Sequence, residues 1–396
     1  MAIKKPVYLD HHATTPIDPL VLEVLERAQR DYFGNPASAS HSFGWGAQAL
    51  VEKARQQVAE LIGADDREIV FTSGATEANN LALLGTAAAA NEFQKKIITT
   101  TLEHSSVSEP VHHLEKQGWC VHRIESDETG IINAMAVHES LDKETLLVSV
   151  IAAQNEIGTL QPLKNIGQIC RDKGVLFHSD AAQAAAHLPL DVEALGVDLL
   201  SLSAHKMYGP KGVGALWVRR CHPPLPLNAC FHGGDQEGGL RPGTLNVPGI
   251  AAFGEACRLA LLNREEEVKR ISRLRQRFLN HLSEKLSGVH LNGAMEPRLP
   301  GNLNLWFEGI REGQLLPRLT VLALSSGSAC RSSDPTASPV LMSLGLDSLQ
   351  AASSLRIGLG RFSTSDEVDF ATEKIAAVVQ KLRLENHWME KFLDGR

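Results

Sequence analysis

The sequence predicts an α/β fold built on a mostly parallel sheet with helices on both faces. Between about residues 55 and 220, short apolar runs alternate with longer segments of helical composition. Continuous apolar strands separated by helices are typical of parallel sheets that are covered on both sides. Because the ligands of such sheets bind at the carboxyl ends of the strands, we expect the functional site there.

Each element of this sheet follows from its local composition. Runs such as KIITT, LLVSVI and GALWV are short, apolar and bounded by polar or glycine residues, which favours strands. The longer segments between them have the composition of helices. The predicted strands are 68–72, 96–100, 146–151, 175–178, 199–202 and 214–218, and the predicted helices are 76–84, 110–117 and 166–173.

After this region the chain changes character twice. Residues 221–248 are rich in proline and glycine, which predicts long loops. In the charged segment that follows, apolar residues recur every three or four positions from Val268 to Leu282, which predicts an amphipathic helix. A length of 396 residues suggests two or three domains, and we expect this helix to link a large domain to a smaller one.

Composition argues against several classes of protein. The net charge is −7 and no block of like charges occurs, which disfavours a nucleic-acid or membrane partner. No apolar run approaches the ~18 residues of a spanning helix, and the N-terminal residues show no apolar signal core. The six cysteines are scattered without a CxxC spacing, which favours reduced thiols. We therefore expect a cytoplasmic protein.

Two predicted strands end in residues that bear chemistry. Lys206 follows the run LLSLSAH, and a lysine against apolar walls can lose its proton and attack a carbonyl. A lone lysine in a loop is more often a plain surface residue. Asp180 ends the preceding strand, where it either caps the next helix or pairs with the pyridinium nitrogen of pyridoxal phosphate (PLP), so that the ring can accept electrons.

The segment FTSGATEANN predicts a third part of the same site. A strand runs into Ser73–Thr76 and then into a helix, and the free N–H groups of a helix start, with the Thr76 hydroxyl, suit one phosphate group. Alone, the segment is more often a capped βα turn. Together with Asp180 and Lys206 it supplies a phosphate cup, a ring-nitrogen partner and a Schiff-base lysine, which predicts a PLP site.

Three further residues are candidates for catalysis or substrate binding. Cys330 lies in a polar loop beside Arg331, which favours a reactive thiolate over an incidental exposed cysteine. His104 follows a predicted strand and either stacks on a cofactor ring or moves protons. Arg356 is a candidate clamp for a substrate carboxylate, with an ordinary ion pair as the alternative.

A metal site is not predicted. His11 and His12 are adjacent, and neighbouring side chains of a strand point to opposite faces, so they rarely bind one ion. No HxxxH spacing or Cys/His cluster supports a metal either.

At this point the chain resembles the PLP-dependent cysteine desulfurases of the iron–sulfur-cluster-assembly type, within the fold type I, class V aminotransferase group. The resemblance extends almost from end to end, and three segments together are highly specific: SGATE, SAHKMYGPKG and SSGSAC. The other matching segments are YLDHHATTP, FGNPASASHSFG, TLEHSSV, QNEIGTLQP, FHSDAAQ, HGGDQEGGLRPGTLNV and SLRIGLGRF.

The resemblance implies a role for each candidate residue. Lys206 would hold PLP covalently, Asp180 would pair with the pyridinium, and His104 would stack on the ring and assist proton transfers. Cys330 would accept the sulfur of L-cysteine as a persulfide and leave alanine. The remaining implied contacts are to the phosphate from Ala75, Thr76, Ser203, His205 and the Thr244 of a neighbouring subunit, to the phenolic oxygen from Gln183, and to the substrate carboxylate from Asn155 and Arg356.

The resemblance also implies an organisation and partners. A large PLP-binding domain would span residues 15–260, and a small α+β domain would combine residues 1–14 with 261–396. The small domain would carry the catalytic-cysteine loop at about 325–339, in a homodimer that passes sulfur to a protein acceptor such as an iron–sulfur cluster scaffold. Three segments depart from the family's usual pattern: RPGTLNV, which has Pro242 where the family commonly has serine, DHHATTP, and the C-terminal QKLRLENHWMEKFLDGR, which bears on scaffold docking.

Two other functions remain open on the sequence. The first is another enzyme of the same fold, a selenocysteine lyase or a class V aminotransferase, and an aminotransferase would not need Cys330. The second is a non-catalytic sulfur carrier that uses only the loop thiol, which the set of PLP residues disfavours.

Overall fold

A computed structural model describes residues 3–327 and 338–394 of the chain. The predicted cysteine loop therefore falls largely outside the described residues, and Cys330 with it. The strands are β1 (Val7–Tyr8), β2 (Ile69–Thr72), β3 (Lys96–Thr100), β4 (Cys120–Ile124), β5 (Thr145–Ser149), β6 (Leu176–Asp180), β7 (Leu199–Ser203), β8 (Gly214–Val218), β9 (Val289–Leu291), β10 (Asn302–Phe307), β11 (Leu322–Ala323) and β12 (Ser354–Gly358).

Helices pack around these strands and connect them. They are α1 (Pro19–Asp31), α2 (Ser42–Ile62), α3 (Ala75–Asn80), α4 (Thr86–Ala89), α5 (Ser105–Lys116), α6 (Ala134–Ser140), α7 (Leu163–Lys173), α8 (Val192–Leu195), α9 (Val247–Lys285), α10 (Pro339–Ser343), α11 (Ser348–Ala352) and α12 (Ser365–Asp394). A π-helical turn, Leu81–Gly85, joins α3 to α4 without a break.

A central sheet of seven strands confirms the predicted α/β fold. Its order is β2-β8-β7-β6-β5-β3-β4, and every neighbouring pair is parallel except the two that involve β8. Strand β8 is antiparallel to both of its neighbours. The connection from β7, residues 204–213, is shorter than the crossover of a dozen residues or more that a parallel strand needs. The carboxyl ends of β2, β3, β5, β6 and β7 therefore meet at one edge.

The structure corrects the sequence prediction at two elements. Strand β4 was not predicted, because CVHRI lies at the edge of the sheet, pairs only with β3 and is mostly exposed. Helix α5 begins at Ser105, five residues before the predicted start at Pro110. The side chain of His104 accepts a hydrogen bond from Ser106 N and caps the helix there, so that the proline falls inside it.

One long helix contributes to two hydrophobic cores. The first half of α9 packs against α1 and α2 and joins the largest cluster of buried side chains. Its second half presents Ile271, Phe278 and Leu282 to another cluster, which also holds Val7 and Leu9 and side chains from β10, β12 and α12. The amphipathic helix predicted at 268–282 is thus part of a 39-residue helix. The division into domains at residues 14 and 260 stays a prediction.

The N-terminal segment reaches the strand edge from far away in sequence. Strand β1 pairs in parallel with β11, and Asp10 forms a bridge with Gly358 at the end of β12. His11 and His12 lie in the turn that follows, rather than in a strand. Within residues 3–327 and 338–394, no helix is long and apolar enough to cross a membrane, and no group of metal-ligating side chains forms a candidate metal site.

Candidate active site

A cavity of about 460 Å³ opens at the carboxyl edge of the central sheet. Most of the residues predicted from the sequence line it, although they come from segments up to 281 positions apart between Ala75 and Arg356. Thr244 does not line it but borders a neighbouring open cavity beside Ser73, Glu77 and Arg241. The predicted residues that line it are Ala75, Thr76, His104, Asn155, Asp180, Gln183, Ser203, His205, Lys206 and Arg356.

Lys206 lies in a short helical turn, Ala204–Lys206, directly after β7. Its Nζ donates hydrogen bonds to the main-chain oxygens of His12 and Ala13, the second at 2.8 Å. The N-terminal segment also fixes the turn itself, because Thr15 N donates to His205 O at 3.0 Å. Main-chain acceptors therefore hold the lysine amine in the cavity wall, next to the end of β7.

Asp180 is fixed by two donors at the end of β6. Its Oδ1 accepts from Ala182 N at 2.9 Å, and its Oδ2 accepts from Asn79 Nδ2 at 2.8 Å. The helix-capping and cofactor-binding interpretations of this carboxylate are thus compatible, since Asp180 bonds the main chain and also lines the cavity. The residue is 4% exposed.

Asn79 is a residue that the sequence reasoning missed. It is fully buried in α3, and its Nδ2 also donates to Ser106 Oγ at 2.8 Å. Asn79 thereby ties Asp180 to the start of α5, where His104 lies. Its position in SGATEANN could have predicted this role, because Asn79 comes one helical turn after Ala75 and therefore lies on the same face of the helix.

His104 is held as a neutral imidazole of one tautomer. Ser106 N donates to His104 Nδ1 at 3.1 Å, and Ser106 Oγ lies 2.8 Å from the same nitrogen. Because Nδ1 accepts, the ring proton is on Nε2. Burial lowers the pKa of His104, and Lys206 lowers it further, against the opposing effect of Asp180. At neutral pH this histidine presents an N–H rather than a positive charge.

Two glycines, Gly74 and Gly214, shape the backbone at the predicted phosphate end. Gly74 has a φ of 145°, and α3 begins directly after it. A Cβ on Gly214, the first residue of β8, would lie 2.7 Å from Gly74 Cα, so glycine is required there. The first N–H groups of α3 are at the cavity wall with Thr76. His205 adds a neutral ring, because burial and then Lys206 lower its pKa to about 4.

Gln183 and His12 form a reciprocal pair in the cavity wall. Gln183 Nε2 donates to His12 O at 2.9 Å, so its Oε1 faces His12 Nδ1 at 3.2 Å, and that nitrogen carries the ring proton. Burial keeps the pKa of His12 well below its usual value, and Arg356 adds to this. His12 thus belongs to the site, although the sequence suggested only a metal role for it and rejected that role.

Arg356 and Asn155 line the same cavity and contact each other. Arg356 is 1% exposed; its Nη2 donates to Asp10 Oδ1 at 2.8 Å and its Nη1 donates to Asn155 O at 3.2 Å. Its Nε is buried and has no hydrogen-bond partner within the described parts of the chain. A guanidinium with an unsatisfied donor beside a cavity is suited to an anionic ligand such as a carboxylate.

A second cavity of about 700 Å³ adjoins the first and shares His104 and Asn155 with it. The residues on both sides of 328–337 line this second cavity, namely Ser326 and Gly327 before it and Ser338 after it. Ser338 Oγ donates to Glu156 Oε2 at 2.6 Å, and Arg356 N donates to Ser325 O at 2.8 Å. Both ends of the cysteine-bearing segment are therefore fixed beside the predicted substrate-binding residues.

Comparison with known proteins gives the family. The sequence profile of the class-V aminotransferases (Aminotransferase class-V) matches residues 7–370. The chain is 47% identical to Cysteine desulfurase IscS of Anaeromyxobacter dehalogenans (strain 2CP-C) over 99% of this chain and 97% of that protein. The chain belongs to the PLP-dependent cysteine desulfurases of the class V aminotransferase family.

Other members of the family support this placement. The Cysteine desulfurase IscS of Rickettsia africae (strain ESF-5) is 47% identical over 96% of this chain and 92% of its own length. A solved NifS-like protein superposes with a TM-score of 0.88 and 35% identity, covering 95% of this chain and all of that one. The structure titled SspA in complex with cysteine gives a TM-score of 0.80 at 34% identity, over 91% of this chain and all of that one.

The residues present in the cavity fit PLP, the cofactor of this desulfurase family. A buried carboxylate with one cavity-facing side suits a protonated ring nitrogen, and the start of α3 suits a phosphate. A lysine amine at the end of β7 lines the same cavity. PLP supplies a conjugated system that accepts the electrons released at the substrate's Cα.

Proposed function

We propose that this chain converts L-cysteine to L-alanine, holds the sulfur as a persulfide on Cys330 and passes it to acceptors for iron–sulfur cluster and other sulfur-containing cofactor or tRNA biosynthesis. One observation carries the proposal. Gly327 lines a cavity that shares His104 and Asn155 with the cavity of Lys206. In the sequence, Cys330 follows Gly327 by three positions.

Lys206 and Asp180, which line one cavity, would bind and activate the cofactor. The main-chain oxygens of His12 and Ala13 orient the Lys206 amine, and Asn79 orients the Asp180 carboxylate. The carboxylate would keep the ring nitrogen protonated. Ala75, Thr76, Ser203 and His205 would bind the phosphate, and Gln183 would contact the phenolic oxygen with the amide hydrogen that His12 O does not use.

Arg356 and Asn155 would bind the carboxylate of the substrate. The Arg356 Nε is buried without a partner within the described residues, and a bound carboxylate would satisfy it. Asp10 holds the other side of the guanidinium, which fixes the direction of the fork. The substrate's sulfur would then project toward the second cavity, where the ends of the 328–337 segment lie.

The sulfur transfer is a displacement at sulfur by the Cys330 thiolate. The C–S bond of the substrate breaks, and an S–S bond to Cys330 forms. The electron pair of the broken bond remains with the substrate carbon, which takes up a proton, so that the products are alanine and a Cys330 persulfide. His104, with its Nε2–H directed by Ser106, is the proposed group for proton transfers in this cavity.

The proposal extends to partners and compartment. Thr244 would reach the phosphate of a second subunit, because in its own chain it borders a neighbouring cavity and not that of Lys206. This supports a homodimer in which each site is completed by the other chain. The acceptor of the persulfide would be a protein such as an iron–sulfur cluster scaffold, in the cytoplasm.

The test measures alanine and sulfide formed from L-cysteine with a thiol reductant, for the wild type, Cys330→Ala and Lys206→Ala. We expect equal amounts of alanine and sulfide from the wild type and neither product from the variants. The absorption band of bound PLP should persist in Cys330→Ala. Full activity in Cys330→Ala would favour a lyase or an aminotransferase, and sulfur delivery by Lys206→Ala would favour a non-catalytic carrier.

A further inference from the structure

We propose that Glu156 is a positioning residue that fixes both ends of the 328–337 segment beside Asn155, and so sets where Cys330 meets the substrate. The inference rests on the proposed function, since it presupposes that Cys330 accepts the sulfur. It adds a residue to which the sequence assigned no role.

The Glu156 carboxylate is hydrogen-bonded to the chain on one side of the segment and lies next to it on the other. Its Oε2 accepts from Ser338 Oγ at 2.6 Å. On the other side, a Cβ built on Gly327 would lie 3.0 Å from the same oxygen and 3.7 Å from Ser338 Cβ. Gly327 and Ser338, the described residues on either side of 328–337, therefore lie close together, and the Glu156 carboxylate is next to both.

The backbone of Glu156 is itself held firmly. Its N–H donates to Gln154 Oε1 at 2.5 Å, and its main-chain oxygen accepts from the Nδ2 groups of Asn302 and Asn304, both at 3.2 Å. The residue is 4% exposed. Burying a carboxylate costs free energy unless hydrogen-bond donors compensate. Here the buried Glu156 carboxylate accepts a hydrogen bond from Ser338, directly after the cysteine-bearing segment.

The same turn carries the proposed substrate contact. Asn155 precedes Glu156, and its main-chain oxygen accepts from Arg356 Nη1 at 3.2 Å. Arg356 N in turn donates to Ser325 O at 2.8 Å, just before the segment. One rigid turn thus holds the carboxylate-binding pair and the origin of the Cys330 segment in a fixed relation, which is the geometry that a displacement at sulfur requires.

Ser338 is the partner through which this positioning is tested. Its hydroxyl donates to Glu156 and also accepts from Leu341 N at 3.3 Å, so that it caps α10 where the segment ends. Ser338→Ala removes the contact from one side, Glu156→Ala from the other, and Glu156→Gln keeps an acceptor without the charge.

Two matched controls come from the same cavity. Glu109 lines it and is exposed, so Glu109→Gln removes a carboxylate without touching either end of the segment. Ser343 also lines it, but its hydroxyl donates to Val340 O within its own helix, at 2.8 Å. Ser343→Ala therefore controls for the loss of a hydroxyl.

The experiment mixes each PLP-loaded variant with L-cysteine and follows two rates in a single turnover. The first is the change in PLP absorbance, which reports substrate binding and the steps before sulfur transfer. The second is persulfide formation on Cys330, measured by mass spectrometry of quenched samples. We expect Glu156→Ala and Ser338→Ala to slow only the second rate, by about 10- to 100-fold, which is the effect of losing a hydrogen bond to a charged group.

Glu156→Gln should lie between these variants and the wild type, and both controls should match the wild type. Wild-type persulfide rates in Glu156→Ala and Ser338→Ala would overturn the inference, as would an equal loss of both rates. Should Glu156→Ala fail to fold, Glu156→Gln and Ser338→Ala give the same decision. Failure of the proposed function is a separate result, because Cys330→Ala would then remain active.

Discussion

The two ends of the active-site region are assembled in different ways. At the cofactor end, Asp180, Lys206 and Thr76 follow directly from strands of one sheet, and their order along the chain already places them at one edge. At the sulfur end, Asp10, Asn155, Glu156, Arg356 and the termini of the 328–337 segment come from four separate stretches of chain. The first end depends on sheet topology, and the second depends on tertiary contacts between distant segments.

This difference predicts which substitutions should affect the function of one end and not that of the other. Substitutions at the cofactor end should change the spectrum of bound PLP and every later step. Substitutions at the sulfur end should leave that spectrum unchanged in the absence of substrate, and should change substrate affinity or sulfur transfer alone.

The largest effect is expected for Asp180→Asn, at the cofactor end. The amide cannot hold the ring nitrogen protonated, so the electron-accepting capacity of the ring falls. Loss of one partner of a buried ion pair predicts a fall in kcat of roughly 10²- to 10³-fold. The measurement is alanine formation together with the PLP spectrum, with the surface substitution Asp172→Asn as control. Wild-type kcat in Asp180→Asn would remove this residue from the cofactor site.

A smaller loss is expected for Arg356→Lys, at the sulfur end. Lysine keeps the charge but cannot bond Asp10, Asn155 O and a carboxylate with one planar fork. We expect KM for L-cysteine to rise by about 10- to 100-fold while the PLP spectrum without substrate stays as in the wild type. A changed spectrum with an unchanged KM would show that Arg356 acts at the other end.

Asn79→Ala tests the contact that joins Asp180 to the histidine. Without the amide, Asp180 Oδ2 and Ser106 Oγ each lose a donor, so both Asp180 and His104 become less well oriented. A loss of about tenfold in kcat is expected, with a smaller change in KM. The neighbouring Asn80→Ala is the control, because the Asn80 side chain donates to the Thr76 oxygen of its own helix, at 2.8 Å, and bonds neither Asp180 nor Ser106. Equal kcat values in the two variants would contradict this role.

The last effect is on stability rather than on catalysis and concerns Glu103, which lines the second cavity. Burial raises its pKa from 4.5 to about 8, despite hydrogen bonds from Thr100 and Ile151. Between these pH values the unfolded chain releases this proton and the folded chain keeps it, so this residue lowers stability progressively as pH rises from 4.5 to 8. Glu103→Gln removes that dependence.

The check for Glu103 is a pair of thermal-unfolding series at pH 5 and pH 8. The Tm of Glu103→Gln relative to the wild type should be higher at pH 8 than at pH 5. A difference that is the same at both pH values, or that falls as pH rises, would show that the Glu103 carboxyl is not neutral in the folded protein.

Much of the cofactor end was predictable from the sequence because local patterns carry it. Apolar strands ending in SGAT, HSD and SAHK place a helix start, a carboxylate and a lysine at one sheet edge. The role of Asn79 was not predicted, because an asparagine inside a helix has no distinctive sequence pattern until its partners, Asp180 and Ser106, are known. Strand β4 escaped because an exposed edge strand lacks the apolar run that marked the others.

The sulfur end was less predictable, and the reason is physical. Arg356 was a candidate clamp, but its partner Asp10 lies 346 positions away, and the tertiary pairing of β1 with β11 and the bridge to β12 help to bring them together. Glu156 lies in a turn with no motif of its own for loop attachment. In the sequence, His12 was considered only as a metal ligand together with His11, and no metal site was predicted. In the structure, its main-chain oxygen accepts hydrogen bonds from Lys206 and Gln183.

The most direct test of the central claim is the mass of the peptide that contains Cys330 after a single turnover. Enzyme is mixed with less than one equivalent of L-cysteine without reductant, quenched with an alkylating agent and digested. If Cys330 accepts the sulfur, we expect one added sulfur atom on Cys330 for each alanine released. We expect none on the other five cysteines, Cys120, Cys170, Cys221, Cys230 and Cys257. Alanine release without sulfur on Cys330, or sulfur on another cysteine in its place, would contradict the account.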